Sequence, residues 1–303
     1  MTIATTPSSA EADHQRESPH RRRSAVQDSP SSVAVAVAFL ILMATYFLIP
    51  VYVLLTAATK TQSRLSQGGG LSLSTHLLSN IESLFTEDGH IFLYWVVNSV
   101  IYAVGGAAIG TLLASMAGYA LAKYSFPGRE LIFNVVLGGV LVPATALALP
   151  LFLLFAHVHL TNTYWSVLLP SIVSPFGVYL SRLFASAAVP DELIEAARLD
   201  GAGEFRIFWQ IARHLMGPAL VTIFLFQFVV IWNNFFLPLI MLQNQKLFPV
   251  TLGLYTWQSQ VSRSPELQVL VVVGSLISVL PLMIMFLALQ RFWRSGLSAG
   301  AVK

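Results

Sequence analysis

The densest set of reactive side chains in this chain is Glu195-Ala196-Ala197-Arg198-Leu199-Asp200-Gly201, where charges of both signs crowd into a few residues between long apolar stretches. Side chains of this kind pair with groups on a partner, so the segment reads as a docking element. His157 and His159, two apart, are the nearest approach to a metal pair, but no carboxylate or cysteine nearby completes a ligand set, and they read as interfacial histidines. With no cysteine in 303 residues, disulfides and thiolate metal sites are excluded. The GxxxxGK[S/T] phosphate loop is absent, so the chain should not hydrolyse ATP itself.

The elements that would hold the polar loop are apolar. Hydrophobic residues make up 55% and charged residues only 10%, with a mean hydropathy of +0.71, outside the soluble globular range. Apolar runs lie near residues 33–58, 92–121, 131–156, 164–187, 218–242 and 268–290, with the acids and bases outside their cores, as the cost of a charge at the bilayer centre requires. Six spans put both termini on one side. That side would carry all the Lys and Arg except Lys60, Arg64, Lys246 and Arg263, which by the positive-inside bias makes it cytoplasmic and the Glu195 loop cytoplasmic too. Segments 60–90, 157–163 and 243–267 then lie outside.

Residues 1–32, rich in Ser, Pro, Arg and acids, are expected to form a disordered cytoplasmic tail, with Arg21-Arg22-Arg23 anchoring an uncleaved first span that is too long for a signal peptide. Residues 33–295 form the transmembrane domain and 296–303 a cytoplasmic C-terminal tail. Gly106 and Gly110 have GxxxG spacing, which allows close helix approach and most often means packing within one chain. Pro127-Gly128 supplies a tight turn. A carrier driven by protons or ions needs an intramembrane acid or base, and none lies in the span cores. An intramembrane protease needs a Ser–His or Asp pair, and the histidines lie at span edges. A scaffold would need neither the glycine elbow nor the Pro-Phe-Gly break at 175–177.

Within the polar segment 188–217, Pro190-Asp191 reads as a helix start, with Asp191, Glu192 and Glu195 toward the positive end of the helix dipole. Gly201 and Gly203 break that helix. Phe205, Phe208, Trp209 and Ile211 then lie at i, i+3, i+4 and i+6 of a second. Two short helices about a glycine elbow make a knob that fits a groove, or an amphipathic hairpin that rests on the membrane.

Glu-Ala-Ala, three residues, Gly, nine residues and Ile resembles the EAA loop of binding-protein-dependent ABC importer permeases. The resemblance runs from about residue 92 to the C-terminus through Asn98-Ser99, Ala120-Leu121-Ala122-Lys123, Phe126-Pro127-Gly128-Arg129, Asn162-Thr163-Tyr164-Trp165, Phe176-Gly177-Val178, Trp232-Asn233-Asn234, Phe248-Pro249-Val250 and the ending Gly296 to Lys303. These are similar to the carbohydrate-uptake branch, and most like the six-span second subunit of maltose-type importers. The resemblance implies an all-α membrane protein, an ABC importer type I permease with six transmembrane helices and a cytoplasmic two-helix coupling loop, in the bacterial plasma (inner) membrane.

It further implies a permease subunit forming half of a sugar path. Its partners would be a second permease subunit, ATP-binding cassette ATPase subunits, an extracytoplasmic solute-binding protein and membrane lipid, and no nucleic acid. ATP and Mg would be used by the partner ATPase, with no cofactor or metal bound by this chain. Glu195, Ala196, Ala197, Asp200 and Gly201 would couple to the ATPase, and Ser298, Ala299 and Gly300 would form a C-terminal coupling tail. The alternatives are a permease for a glycerol-phosphate-type or polyol solute and, in a different class, an ion-coupled secondary transporter. Asn98 and Tyr102, four apart, and Gln227 and Asn234, seven apart on one helical face, are candidates for the sugar path, although interhelical hydrogen bonding explains the same residues more simply. The family loop usually continues after the isoleucine with one residue and then Leu-Pro. Here Ala212-Arg213-His214 follows and proline waits until Pro218, which predicts a second docking helix running on into the fifth span.

Overall fold

The computed structural model describes residues 30–68 and 70–299, which are helical with no strand among them. Most of the expected tail 1–32 lies outside these residues, and helix α1, Pro30–Ala58, has already begun at Pro30. Residues up to 52 and residues from 53 onward are two separate units. The first contributes the start of α1, whose side chains from Ser31 to Tyr52 are nearly all exposed.

The second unit is built around one long helix. After α2, Leu77–Thr86, comes α3, Ile91–Lys123, 33 residues without a break, in which Ile101–Gly105 relaxes into a π turn. Next come α4, Arg129–Gly139, and α5, Ala144–His157; then α6, Tyr164–Ser171, and α7, Pro175–Ala188. Segment 188–217 forms α8, Asp191–Leu199, and α9, Glu204–Leu215. The chain finishes with α10, Gly217–Trp232; α11, Phe236–Met241; α12, Val250–Gln260; and α13, Leu267–Ala299. Among the described residues, four stretches are long and apolar enough to cross a membrane, namely Ser31–Ala58, Ile91–Lys123, Tyr164–Ala188 and Leu267–Gln290. The number rises to six only if each of two bent pairs counts as one span.

The first bend divides the apolar run 131–156, and the second separates the expected second docking helix from the run that follows it. Helices α4 and α5 meet at 100°, because Gly138-Gly139 closes the first and Pro143 holds its predecessor out of the helical region. Helices α9 and α10 meet at 83°, so the second docking helix stops at Leu215 and does not continue into the next span. Met216 leaves helical geometry there, and Pro218 sits in the first turn of α10, where its missing N–H costs nothing. The run 218–242 is also divided, at residues 233–235. A fourth break, at 172–174, is closed by Pro175 at the start of α7 and by Ser174, whose hydroxyl accepts from the Gly177 amide at 3.2 Å.

Glycines set how closely α3 lies against α7 and α10. A Cβ at Gly118 would stand 2.5 Å from the Ser181 Cβ and 2.8 Å from the Val178 carbonyl oxygen, and one at Gly110 would stand 2.1 Å from the Gln227 amide nitrogen. The Gly106/Gly110 pair therefore serves packing within the chain. One apolar core collects at the α2 end, around Phe92, Trp95, Trp257 and Val273; a second, smaller one lies at the other end of α3, under α8 and α9.

Candidate functional site

Segment 188–217 is a folded knob. Helix α8 starts after the extended Pro190 and ends at Leu199, with Asp200 as its cap, and Gly201 takes φ +79°, the left-handed conformation that reverses the chain. Nothing lies within 4 Å of where a Gly201 Cβ would be, so the glycine serves the backbone and leaves the surface open. Ile194, Ala197, Ile207, Phe208, Ala212 and Met216 turn inward onto Tyr119, Ala185 and Val189 from the ends of α3 and α7. Burying each large apolar side chain is worth about 1.5–3 kcal/mol. Exposed ion pairs contribute about 1 kcal/mol or less, so this core supplies most of the stiffness.

Polar clamps fix its orientation. Lys123, the last residue of α3, pairs with Asp191 at 2.7 Å. Arg198 pairs with Glu204 at 2.7 Å across the elbow, and the Tyr124 hydroxyl donates to the same carboxylate at 2.8 Å. The Arg198 hydrogen bond, with that of Tyr124, holds the Glu204 carboxyl below its ordinary range, while the Glu204 bond raises Arg198. The Tyr124 hydroxyl is pushed up, first by burial and then by the anion it faces. Arg182, inside α7, is neutralised by Glu130 at 2.6 Å and lies over the Phe133 ring at 4.0 Å.

Of the residues singled out in sequence, Glu195, Ala196, Asp200 and Gly201 are exposed on the knob, whereas Ala197 is buried in its core. The exposed face is more apolar than the charge pattern suggested. Leu199 is 90% exposed and Phe205 67%, and Phe205 stacks on Trp209 with centroids 6.1 Å apart and planes at 9°. The Arg213 guanidinium lies 4.5 Å above the Trp209 ring. Ser298 and Ala299 fall within the backbone of α13, so the first residues of the expected tail continue a helix; Gly300 lies outside the described residues.

The four polar residues expected along the sugar path are held in different ways. Asn98 is 1% exposed, donates to the Lys246 and Phe248 carbonyls at 2.8 and 3.0 Å, and accepts from the Tyr164 hydroxyl at 2.8 Å. Tyr102 donates to the Leu247 carbonyl at 2.9 Å. Gln227 donates to the Ser171 carbonyl at 2.8 Å, where the broken span frees it, and its Oε1 is buried without a partner. Asn234 lies beyond the end of α10, so helical spacing does not place it on the face of Gln227; its Oδ1 accepts from the Leu237 amide at 3.3 Å. His157 ends α5 and His159 takes φ +55°, and no three His, Cys, Asp or Glu among the described residues are grouped to hold a metal.

The sequence reading missed a set of fasteners at the opposite end of α3. Trp95 donates to the Gln245 carbonyl at 2.9 Å, and Ser99 accepts from the Val250 amide at 2.8 Å. Asn162, at φ +57°, accepts from the Gln243 and Asn244 amides at 3.0 and 2.8 Å. The polar stripe of Trp95, Asn98, Ser99 and Tyr102, at i, i+3, i+4 and i+7, was the signal available.

Comparison with known proteins agrees with this architecture. The arabinooligosaccharides transport system permease protein AraQ of Halalkalibacterium halodurans is 35% identical, over 89% of this chain and 95% of its own length. The lactose transport system permease protein LacG of Rhizobium radiobacter is 35% identical, over 81% and 87%. A crystal structure of a bacterial ABC transporter involved in the import of the acidic polysaccharide alginate has a chain that superposes with a TM-score of 0.74 at 20% identity, covering 87% of this chain and 98% of its own, which establishes a shared fold. Residues 106–297 match the family described as binding-protein-dependent transport system inner membrane component, and the chain belongs to that family.

Proposed function

We propose that this chain is the permease subunit of an ATP-driven importer for oligosaccharides, with its knob seated in a groove of a separate ATP-binding cassette subunit. The observation that carries the docking is the knob itself. Leu199, Phe205 and Trp209 are apolar side chains held out from a well-packed core, and an exposed apolar patch on a rigid support marks a protein-binding surface. Glu195, Ala196, Asp200 and Gly201 lie on the exposed part of the knob, and Ala197 supports it from beneath. The names of the relatives support the sugar class.

In this reading the knob side is cytoplasmic, ATP and Mg are used by the partner ATPase, a second permease completes the path, and a solute-binding protein delivers sugar to the side bearing residues 243–267. The tail 296–303, with Ser298, Ala299 and Gly300, reaches the ATPase subunits. Gln227, with an unpartnered carbonyl oxygen at a helix break, is the best placed of the four candidates to meet a sugar hydroxyl; Asn98 and Tyr102 already spend their bonds on the chain. The test is co-purification. Leu199→Asp with Phe205→Asp should leave the permease inserted but strip the ATP-hydrolysing subunit from it. Retention of that subunit at the wild-type ratio would refute the docking.

A further inference from the structure

We propose that the break between α6 and α7 is a subsite for an uncharged sugar ring, with the Val173 carbonyl and the Phe176 ring as its contacts and Gln227 at its back. The inference rests on the sugar-importer reading and adds where this subunit meets its cargo and what charge that cargo carries. Val173 follows Tyr164 by nine residues in the 25-residue stretch Tyr164–Ala188. At 1.5 Å per residue that is about 14 Å, close to the middle of a hydrocarbon core of about 30 Å.

Residues 172–174 lie outside both helices, and the Ile172 and Val173 carbonyls accept no hydrogen bond from any of the described residues. Val173 is also 69% exposed. Irregular backbone at this depth is not stable against lipid, because a bare carbonyl in hydrocarbon finds no donor; it lies against protein or lines a water-filled path. A neighbouring helix does not meet the need, since its amides are spent on its own carbonyls. A hydroxyl does, whether from water or from a sugar.

The back of the break is fixed. Gln227 on α10 donates to the carbonyl of Ser171, the last residue of α6, at 2.8 Å. Gly110 on α3 leaves room for this contact: a Cβ there would stand 2.1 Å from the Gln227 Nε2 and 2.8 Å from the Ile172 carbonyl oxygen. The front is aromatic. Phe176, in the first turn of α7, and Phe226, beside Gln227 on α10, are each 45% exposed and meet edge to face with centroids 5.8 Å apart. An aromatic face beside a row of acceptors matches a pyranose, which has a C–H face and a rim of hydroxyl donors.

The same atoms set the charge. The groups left unpaired at the break are the Ile172 and Val173 carbonyls and the Gln227 Oε1, all of them acceptors. The basic residue of α7, Arg182, is nine residues beyond Val173 and already bound to Glu130. A carboxylate or sulfate on the sugar would leave water for a site that offers it neither cation nor donor, a cost that a neutral ring does not meet.

The test uses the assembled importer in proteoliposomes carrying Val173→Cys, in a chain with no native cysteine. The sugar probe is whichever of arabinotriose, lactose and raffinose stimulates ATP hydrolysis by the wild-type complex; if none does, the sugar reading fails and the subsite with it. Neutral hydroxyethyl methanethiosulfonate should modify the new thiol at least tenfold faster than the anionic sulfonatoethyl reagent, each rate taken relative to that at the exposed Ser259→Cys. The stimulating sugar should slow the neutral reagent at least threefold. Phe176→Leu and Gln227→Leu should each leave the thiol reactive but remove this protection, and Phe176→Tyr should keep it. Equal relative rates for the two reagents would overturn the charge preference. Labelling indifferent to the stimulating sugar would overturn the subsite, and so would a thiol that reacts with neither reagent in any nucleotide state, because a helix of the second permease would then cover the break.

Discussion

The Tyr124 hydroxyl donates a 2.8 Å hydrogen bond to Glu204 while Arg198 pairs with the same carboxylate at 2.7 Å, so one acid ties the turn after α3 to both helices of the knob. Glu204 lies six residues after Arg198, on the other side of the elbow. The carboxylate therefore closes the reversal at Gly201 from outside, while Ile194, Ile207 and Phe208 close it from within.

This arrangement sets a pH dependence. The folded state holds the Glu204 carboxyl below its ordinary 4.5, so its stabilising contribution is fully present above that value and is lost as pH falls through the lower, folded one. The EPR line shape of a nitroxide at Leu199 should stay that of a rigid site at pH 5 and become mobile only well below 4.5. In Glu204→Gln it should be more mobile at neutral pH and insensitive to acid over this range. A wild-type transition above pH 5 would assign the closure to a different group.

Gly201 separates backbone from contact. Asn accepts the left-handed conformation better than most residues, and there is open space for a side chain, so Gly201→Asn should cost about 1 kcal/mol or less and keep most uptake. Gly201→Asp adds a charge at the docking surface and should nearly abolish uptake with the chain still inserted. Wild-type uptake in Gly201→Asp would contradict the docking role.

Gly118 tests the fit of α3 against α7. Its Cβ would meet the Ser181 Cβ at 2.5 Å and the Arg182 amide nitrogen at 2.6 Å, and backbone cannot yield as a side-chain tip does. Overpacking of this kind costs about 1–3 kcal/mol. Gly118→Ala should lower the unfolding temperature in detergent, whereas Gly138→Ala, with nothing within 4 Å, should leave it within error. Equal stability of the two variants would mean the helices can separate freely.

Topology is open to labelling because no native cysteine competes. An impermeant thiol reagent applied to intact cells should modify Ser259→Cys and leave Ser298→Cys unmodified until the cells are opened. Modification of Ser298→Cys in intact cells would reverse the assignment of the termini to the cytoplasm.

Apolar runs, the Pro190 helix start and the Gly201 elbow were legible because each rests on local physics: composition over a span length, a proline's fixed φ, a glycine's access to φ +79°. The bends at Gly139–Pro143 and Met216–Pro218 were not, since hydropathy records what a segment dissolves in and says nothing of its direction. Ala197 shows the same limit on the knob, where its neighbours Glu195 and Ala196 face out and it faces in, because the core beneath α8 is completed by Tyr119 and Phe208 from other segments. The outer fasteners were half visible. Trp95, Asn98, Ser99 and Tyr102 declare a polar helical face, but most of their partners are main-chain carbonyls of residues 245–248, and a carbonyl has no signature in a sequence.

Trp95 and Gly253 have a consequence for how this protein can drift. The indole occupies the space where a side chain at 253 would begin, so neither position is free to change alone: any residue larger than glycine at 253 evicts the ring, and a smaller residue at 95 leaves a void under α12. Among related sequences the two positions should therefore change as a pair, with side chains at the second accompanied by a smaller residue at the first. Gly253→Ala should be poorly tolerated by itself and partly recovered by Trp95→Leu, a compensation that two unrelated substitutions would not show.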